Sequence, residues 1–192
     1  MKNSLKIQVY SYHKCFHSKS QCSLKELKAL VSRKDWLRSQ EYSSASKRLL
    51  FLHQRVWAES FLKNHLLKTK QHRALKSFAL TKSKFGKPHI QNNSLYFSIT
   101  HTKGSFVIAS SPKPVGIDLE YFHSRNYEAL AEKFFHPAEA KYIRNSLQVE
   151  RSFFEIWTTK EAYVKHQGSR LSQTLKLLTK EQINAKGLVS KQ

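Results

Sequence analysis

Apolar and polar positions alternate at the start of this chain, become helical, and alternate again near its middle. Leu5, Ile7 and Val9 are separated by polar residues, the period-two pattern of a half-exposed strand running to about Tyr12. Ser23-Leu24-Lys25-Glu26 has the form of a capping box and predicts a short helix to Val31. Leu49, Leu52, Val56, Leu62 and Leu66 recur at helical spacing within 42–67, after several serines suited to N-caps, and predict the longest helix. Leu95, Phe97 and Ile99 then alternate with Tyr96, Ser98 and Thr100, and Phe106 to Ala109 is continuously apolar. These two runs predict a hairpin turning at Thr102-Lys103-Gly104-Ser105. Pro137 and Glu139 open a helix reaching about Leu147, and another spans about 150–166 and stops at Gly168. Beyond it, Leu175 to Thr179 has room for one strand at most. The mixture is that of an α/β (α+β) protein.

Two stretches within this pattern carry chemistry. In Val115-Gly116-Ile117-Asp118-Leu119-Glu120, read as a strand, Ile117 and Leu119 share one face and Asp118 and Glu120 the other. The two carboxylates are then about 7 Å apart, a gap that a hard divalent cation with intervening water bridges. In Trp157-Thr158-Thr159-Lys160-Glu161-Ala162-Tyr163-Val164-Lys165, read as a helix, Trp157, Glu161 and Lys165 form one stripe. A third carboxylate and a lysine can thus meet the first two. The bland alternative is an exposed strand face and a helical i, i+4 ion pair.

Composition sharpens the choice of partner. The chain of 192 residues holds 34 Lys and Arg against 13 Asp and Glu, a formal +21, which points to anionic partners. With 21 bases and four acids, residues 1–111 stand at +17; with 13 bases and nine acids, residues 112–192 stand at +4 and contain every carboxylate of the two stretches. Ser110-Ser111-Pro112-Lys113-Pro114 is the clearest linker, and a boundary is expected there between 1–111 and 112–192. Arg48 and Arg55 share a face of the long helix. Arg33, Lys34, Trp36 and Arg38 read either as an anion-binding loop or as a soluble surface. His13, Cys15, His17 and Cys22 match no usual zinc spacing and are expected to be solvated loop residues. No run of 18 apolar residues exists, no secretory apolar core follows Met1, and two cysteines make no disulfide framework; a cytoplasmic location is expected, without membrane partners.

Four motifs in this order and at these separations carry a family resemblance: Gly86-Lys87-Pro88, Ile99-Thr100-His101-Thr102, the Gly-Ile-Asp stretch, and Trp157 through Lys165. Over about residues 48–168 the chain resembles the 4′-phosphopantetheinyl transferases of the surfactin-synthetase type. The resemblance implies two similar α/β halves about a pseudo-twofold axis, the second one abbreviated here. It implies transfer of the phosphopantetheine arm of coenzyme A to a serine of an acidic acyl or peptidyl carrier protein by a monomeric enzyme. Asp118, Glu120 and Glu161 would bind Mg²⁺ with the coenzyme pyrophosphate. Lys165 would hold that pyrophosphate, and Glu161, directly or through a water, would act as general base. Thr100 and His101 would contact coenzyme phosphates, Lys87 and Pro88 would border the adenine, Arg48 or Arg55 would meet the 3′-phosphate, and Lys160 would join the coenzyme contacts. Thr100-His101-Thr102 replaces the family's usual Ser-His-Ser and keeps both hydroxyls.

Two rival readings come from other classes. The excess charge and the Arg33 to Arg38 patch suit a nucleic-acid-binding module, although such a module has no use for three converging carboxylates, and nucleic acid is not the expected partner. A degenerate transferase would bind coenzyme or carrier without turnover.

Overall fold

The computed structural model describes residues 5–11, 23–71, 78–91, 94–103, 105–171 and 175–185. His13, Cys15, His17 and Cys22 lie outside the described residues. The chain divides into two compact units, one containing Tyr10–Ala79 and the other combining Ser4–Val9 with Leu80–Gln192. The expected boundary at residues 111–112 falls inside the second unit, where it joins a strand to the carboxylate stretch.

The first unit is helical. Helix α1 (Leu24–Leu30) starts at the anticipated capping box: the Glu26 N–H donates to Ser23 Oγ and the Ser23 N–H donates to Glu26 at 2.6 Å. Residues 33–38, left open between anion loop and soluble surface, form helix α2 (Arg33–Ser39), because Ser32 caps it by accepting from the Asp35 N–H. Helix α3 (Ala45–Lys68) is the predicted long one. Leu27, Phe51 and Leu52 form the buried contact among the three helices, with Trp36, Tyr42 and Val56 packed around it.

The second unit is mixed. Strands β4 (Tyr96–Thr102) and β5 (Ser105–Ser111) form the predicted antiparallel hairpin, with Ile99 opposite Ile108, and β1 (Lys6–Ser11) joins them in the order β1-β5-β4. A smaller hairpin pairs β2 (Leu80–Lys82) with β3 (Pro88–Ile90). Its turn needs Gly86, whose φ of 85° lies in the left-handed region. Four helices follow: α4 (Tyr127–Phe134), α5 (Pro137–Arg144), α6 (Val149–Gln167) and α7 (Lys180–Asn184). Gly168 ends α6 with φ of 66°, as its sequence position predicts. An aromatic core fastens α4 and α5 to α6: the Phe135 and Phe153 rings stack at 5.0 Å and Phe153 lies 5.9 Å from Trp157.

Two expectations fail here. Residues 115–120 are not a strand, because among the described residues no backbone completes a ladder with them. Leu175 to Thr179 is turn and coil rather than a strand. That segment is instead held by a buried polar knot. The fully buried Lys160 ammonium contacts Glu139 Oε2 at 2.5 Å and donates to the carbonyls of Leu175 and Leu178 at 2.6 and 2.7 Å. Glu139 Oε1 accepts from the Lys180 N–H at 2.7 Å. Burial lowers the Lys160 pKa while Glu139 opposes that shift. Lys160→Met leaves a buried carboxylate without its counter-charge and is expected to destabilise the unit by about 3–5 kcal/mol, most of it recovered when Glu139→Gln is added. Urea unfolding of the single and double variants measures both effects.

Candidate active site on the carboxylate segment and helix α6

The carboxylate segment runs between β4 and α6 and is held on both sides without a ladder. Ser98 and Thr100, two residues apart on β4, face it with their hydroxyls. The Ile117 N–H donates to Ser98 Oγ at 3.1 Å and the Leu119 N–H to Thr100 Oγ1 at 3.3 Å. Side-chain oxygens thus take the alternate amides that a neighbouring strand would have taken. On the other side the backbone of Gly116 presses on α6. A Cβ at Gly116 would lie 1.9 Å from the Ala162 carbonyl oxygen and 2.3 Å from the His166 nitrogen, so no other residue fits without moving the helix.

Asp118 is the centre of the resulting site. Its side chain is only 4% exposed, and its Oδ1 accepts from the Lys165 ammonium at 2.6 Å and from the Thr100 hydroxyl at 3.0 Å. Its Oδ2 is buried with no hydrogen-bond partner. Glu161, one turn before Lys165 on α6, has its carboxyl held above the ordinary glutamate range by burial and by the charges of Asp118 and Glu120, against the opposing pull of Lys165. The charges of Asp118 and Glu120 thus both reach Glu161. No group of three or more His, Cys, Asp or Glu able to hold a metal ion is present among the described residues, so they do not form a closed cage by themselves. Lys165 acts as the counter-cation of Asp118 instead. An unpaired buried oxygen and mutually repelling carboxylates nevertheless suit a hard divalent cation, which takes oxygen ligands.

The other sequence candidates separate into those at this site and those away from it. Thr100 is at the centre, and His101 is exposed near the end of β4. Lys87 and Pro88 line a pocket of about 270 Å³ together with Phe97, Ser98, Val164 and Lys165. The Lys87 ammonium donates to the backbone carbonyls of Val115 at 3.3 Å and His166 at 3.0 Å. Lys160 is not brought to the site, since it points into the core knot. In the first unit, Arg55 is engaged with Asp35 at 2.9 Å, whereas Arg48 donates to the Tyr42 carbonyl at 3.4 Å and keeps a buried Nε with no partner. Arg48 lies at the start of α3, where the Ser44 side chain makes no cap and the first turn carries no acid.

Sequence reasoning did not single out Ser98 or the aromatic pocket beside Glu120, and it named Gly116 only as part of a motif, without its contact with α6. That pocket, of about 250 Å³, is lined by His123, Arg125, Tyr127, Phe153 and Trp157 among others. The repeat of small hydroxyl residues at Ser98 and Thr100 on one strand face was the available signal for the first of these.

Residues 114–188 match the model of the 4′-phosphopantetheinyl transferase superfamily. The chain is 38% identical over 86 residues to the 4′-phosphopantetheinyl transferase gsp of Aneurinibacillus migulanus, covering 44% of this chain and 35% of that protein. It is 33% identical over 96 residues to the 4′-phosphopantetheinyl transferase HetI of Nostoc sp., covering 46% and 40%. A putative 4′-phosphopantetheinyl transferase of Synechocystis sp. is 28% identical over 152 residues, covering 75% and 59%. The matches span 35% to 59% of the length of these relatives. The family match takes in two of the four motifs, the Gly-Ile-Asp stretch and Trp157 through Lys165, which hold Asp118, Glu120, Glu161 and Lys165.

Two outcomes test this geometry. Gly116→Ala is expected to push α6 away, lowering the urea midpoint and shifting the near-ultraviolet signal of Trp157. The raised pKa of Glu161 means that its ionisation costs more in the folded than in the unfolded chain. The stability of the neutral form is fully present below the ordinary glutamate pKa and is lost as pH rises through the folded value. Glu161→Gln is therefore expected to be more stable than the parent near neutrality and to lose that advantage on acidification; urea midpoints between about pH 4 and 7.5 measure it.

Proposed function

With residues 114–188 carrying the transferase superfamily's pattern, we propose that this chain transfers the 4′-phosphopantetheine group of coenzyme A to a serine hydroxyl of an acyl or peptidyl carrier protein. The observation that carries the reading is the position of Asp118, buried against Lys165 with an unspent oxygen, its charge acting with that of Glu120 on the Glu161 carboxyl. The serine oxygen forms a bond to the phosphorus that bears pantetheine, and the anhydride bond breaks to release adenosine 3′,5′-bisphosphate. Glu161 takes the serine proton, a role that a carboxyl with a raised pKa suits near neutrality. Lys165 swings from Asp118 to the pyrophosphate and compensates the charge left on the departing bisphosphate. Asp118, Glu120 and Glu161 would hold Mg²⁺, which supplies further neutralisation of that leaving charge.

The same reading assigns the remaining candidates. Thr100 and His101 face the phosphates, and the pocket beside Lys87 and Pro88 takes the adenine end. The net +21 favours both a polyphosphate coenzyme and an acidic carrier, whose encounter it accelerates at low salt. A monomeric cytoplasmic enzyme completes the proposal.

Incubation with coenzyme A, Mg²⁺ and an apo carrier is expected to add the phosphopantetheine mass to the carrier. Chelation of Mg²⁺, Asp118→Ala and Glu161→Ala are each expected to lower the rate at least about a hundredfold, and the parent rate to fall with added salt. Coenzyme binding without transfer to any carrier would support the binding-only reading instead, and undiminished transfer by both variants would overturn the assignment of the acids.

A further inference from the structure

We infer that Lys87 is a positioning residue, whose ammonium ties the start of the carboxylate segment to the end of helix α6 rather than reaching for the coenzyme. The inference rests on the proposed transfer for its kinetic consequence and on the fold alone for its structural one. Gly86 turns the chain with positive φ and Pro88 starts β3, so the lysine between them leaves the turn in a fixed direction. Its stem runs beside the end of α6, where a Cβ at Gly168 would lie 3.4 Å from Lys87 Cδ. Its head donates to the Val115 carbonyl at 3.3 Å and the His166 carbonyl at 3.0 Å, so two of three ammonium protons are committed to protein. The His166 carbonyl belongs to the last turn of α6, where carbonyls lack helical partners and a cation is favoured by the dipole. The Val115 carbonyl opens a segment that no ladder holds. Burial shifts the Lys87 pKa downward, as a partly dry setting for these bonds requires.

The location makes this contact consequential. Asp118 and Glu120 follow Val115 by three and five residues, and Glu161 and Lys165 precede or adjoin His166 on α6. Lys87 thus fixes the separation of the two elements at one end, while Lys165 and Asp118 join them further along. Loss of the clamp loosens the relation between Asp118 and Glu161 without removing any group from either.

Lys87→Met keeps the stem and removes the ammonium. Hydrogen exchange in the metal-free protein is expected to accelerate about tenfold in the peptide covering residues 115–120, where the Ile117 and Leu119 amides are bonded to Ser98 and Thr100, while β4–β5 peptides stay unchanged. In the transfer assay kcat is expected to fall about ten- to a hundredfold, with the KM for coenzyme A within about threefold of the parent. Lys87→Arg, which still donates to two carbonyls, is expected to restore most of both. A raised KM with unchanged kcat and unchanged exchange would make Lys87 a coenzyme contact and overturn the inference. If Lys87→Met does not fold, Lys87→Gln undergoes the same measurements. If the parent shows no transfer, the proposed function fails while the exchange of residues 115–120 still decides the role of Lys87.

Discussion

Gly116 lies against helix α6 so closely that a single added carbon would overlap the Ala162 carbonyl. The contact brings the backbone of the carboxylate segment against the backbone of the helix, with no side chain between to cushion an error. On the opposite side the Ser98 and Thr100 hydroxyls accept the segment's alternate amides. Hydroxyls on short side chains leave little play, so the segment is located by β4 and by α6 together. A segment paired in a sheet would follow the sheet; this one follows the helix that carries its chemical partners.

The electrostatics depend on that closeness. Asp118 is buried, accepts from Lys165 and Thr100 through one oxygen, and leaves the other without a partner. Glu161 is raised by burial and by the charges of its acidic neighbours. Lys165 thus acts on both Asp118 and Glu161 while Glu120 adds negative charge beside Glu161, and the balance is short of positive charge in a chain that carries +21. The excess lies elsewhere, largely in residues 1–111. An arrangement of this kind costs stability where it stands.

The sequence makes Asp118, Glu161 and Lys165 legible because local periodicity decides them: alternation places Asp118 opposite Ile117, and the helical i, i+4 relation places Lys165 over Glu161. The hairpin, the caps at Ser23 and Gly168 and the long helix are local for the same reason. What was not legible depends on distant partners. Lys160 is adjacent to Glu161, yet it turns inward because Glu139 waits on another helix. Arg55 has the spacing of a phosphate ligand, yet Asp35 takes it. Residues 115–120 have strand alternation, but extended backbone becomes a strand only where a neighbour completes the ladder, and here two hydroxyls take that place. The basic-aromatic run at Arg33 became a helix because Ser32 offered a cap, a local signal outweighed in reading by the charge.

The neighbouring lysines of α6 show why the helix delivers its acid reliably. At about 100° per residue, Lys160 and Lys165 project about 140° apart, with Glu161 on the arc between them. Lys160 is drawn into the knot with Glu139 and the carbonyls of Leu175 and Leu178, and Lys165 is drawn to Asp118 on the segment. Rotation of α6 in one direction strains the first set of bonds, and rotation in the other strains the second. Displacement along its axis is opposed at its last turn by Lys87. The direction of Glu161 is therefore set by three cations that bind elsewhere.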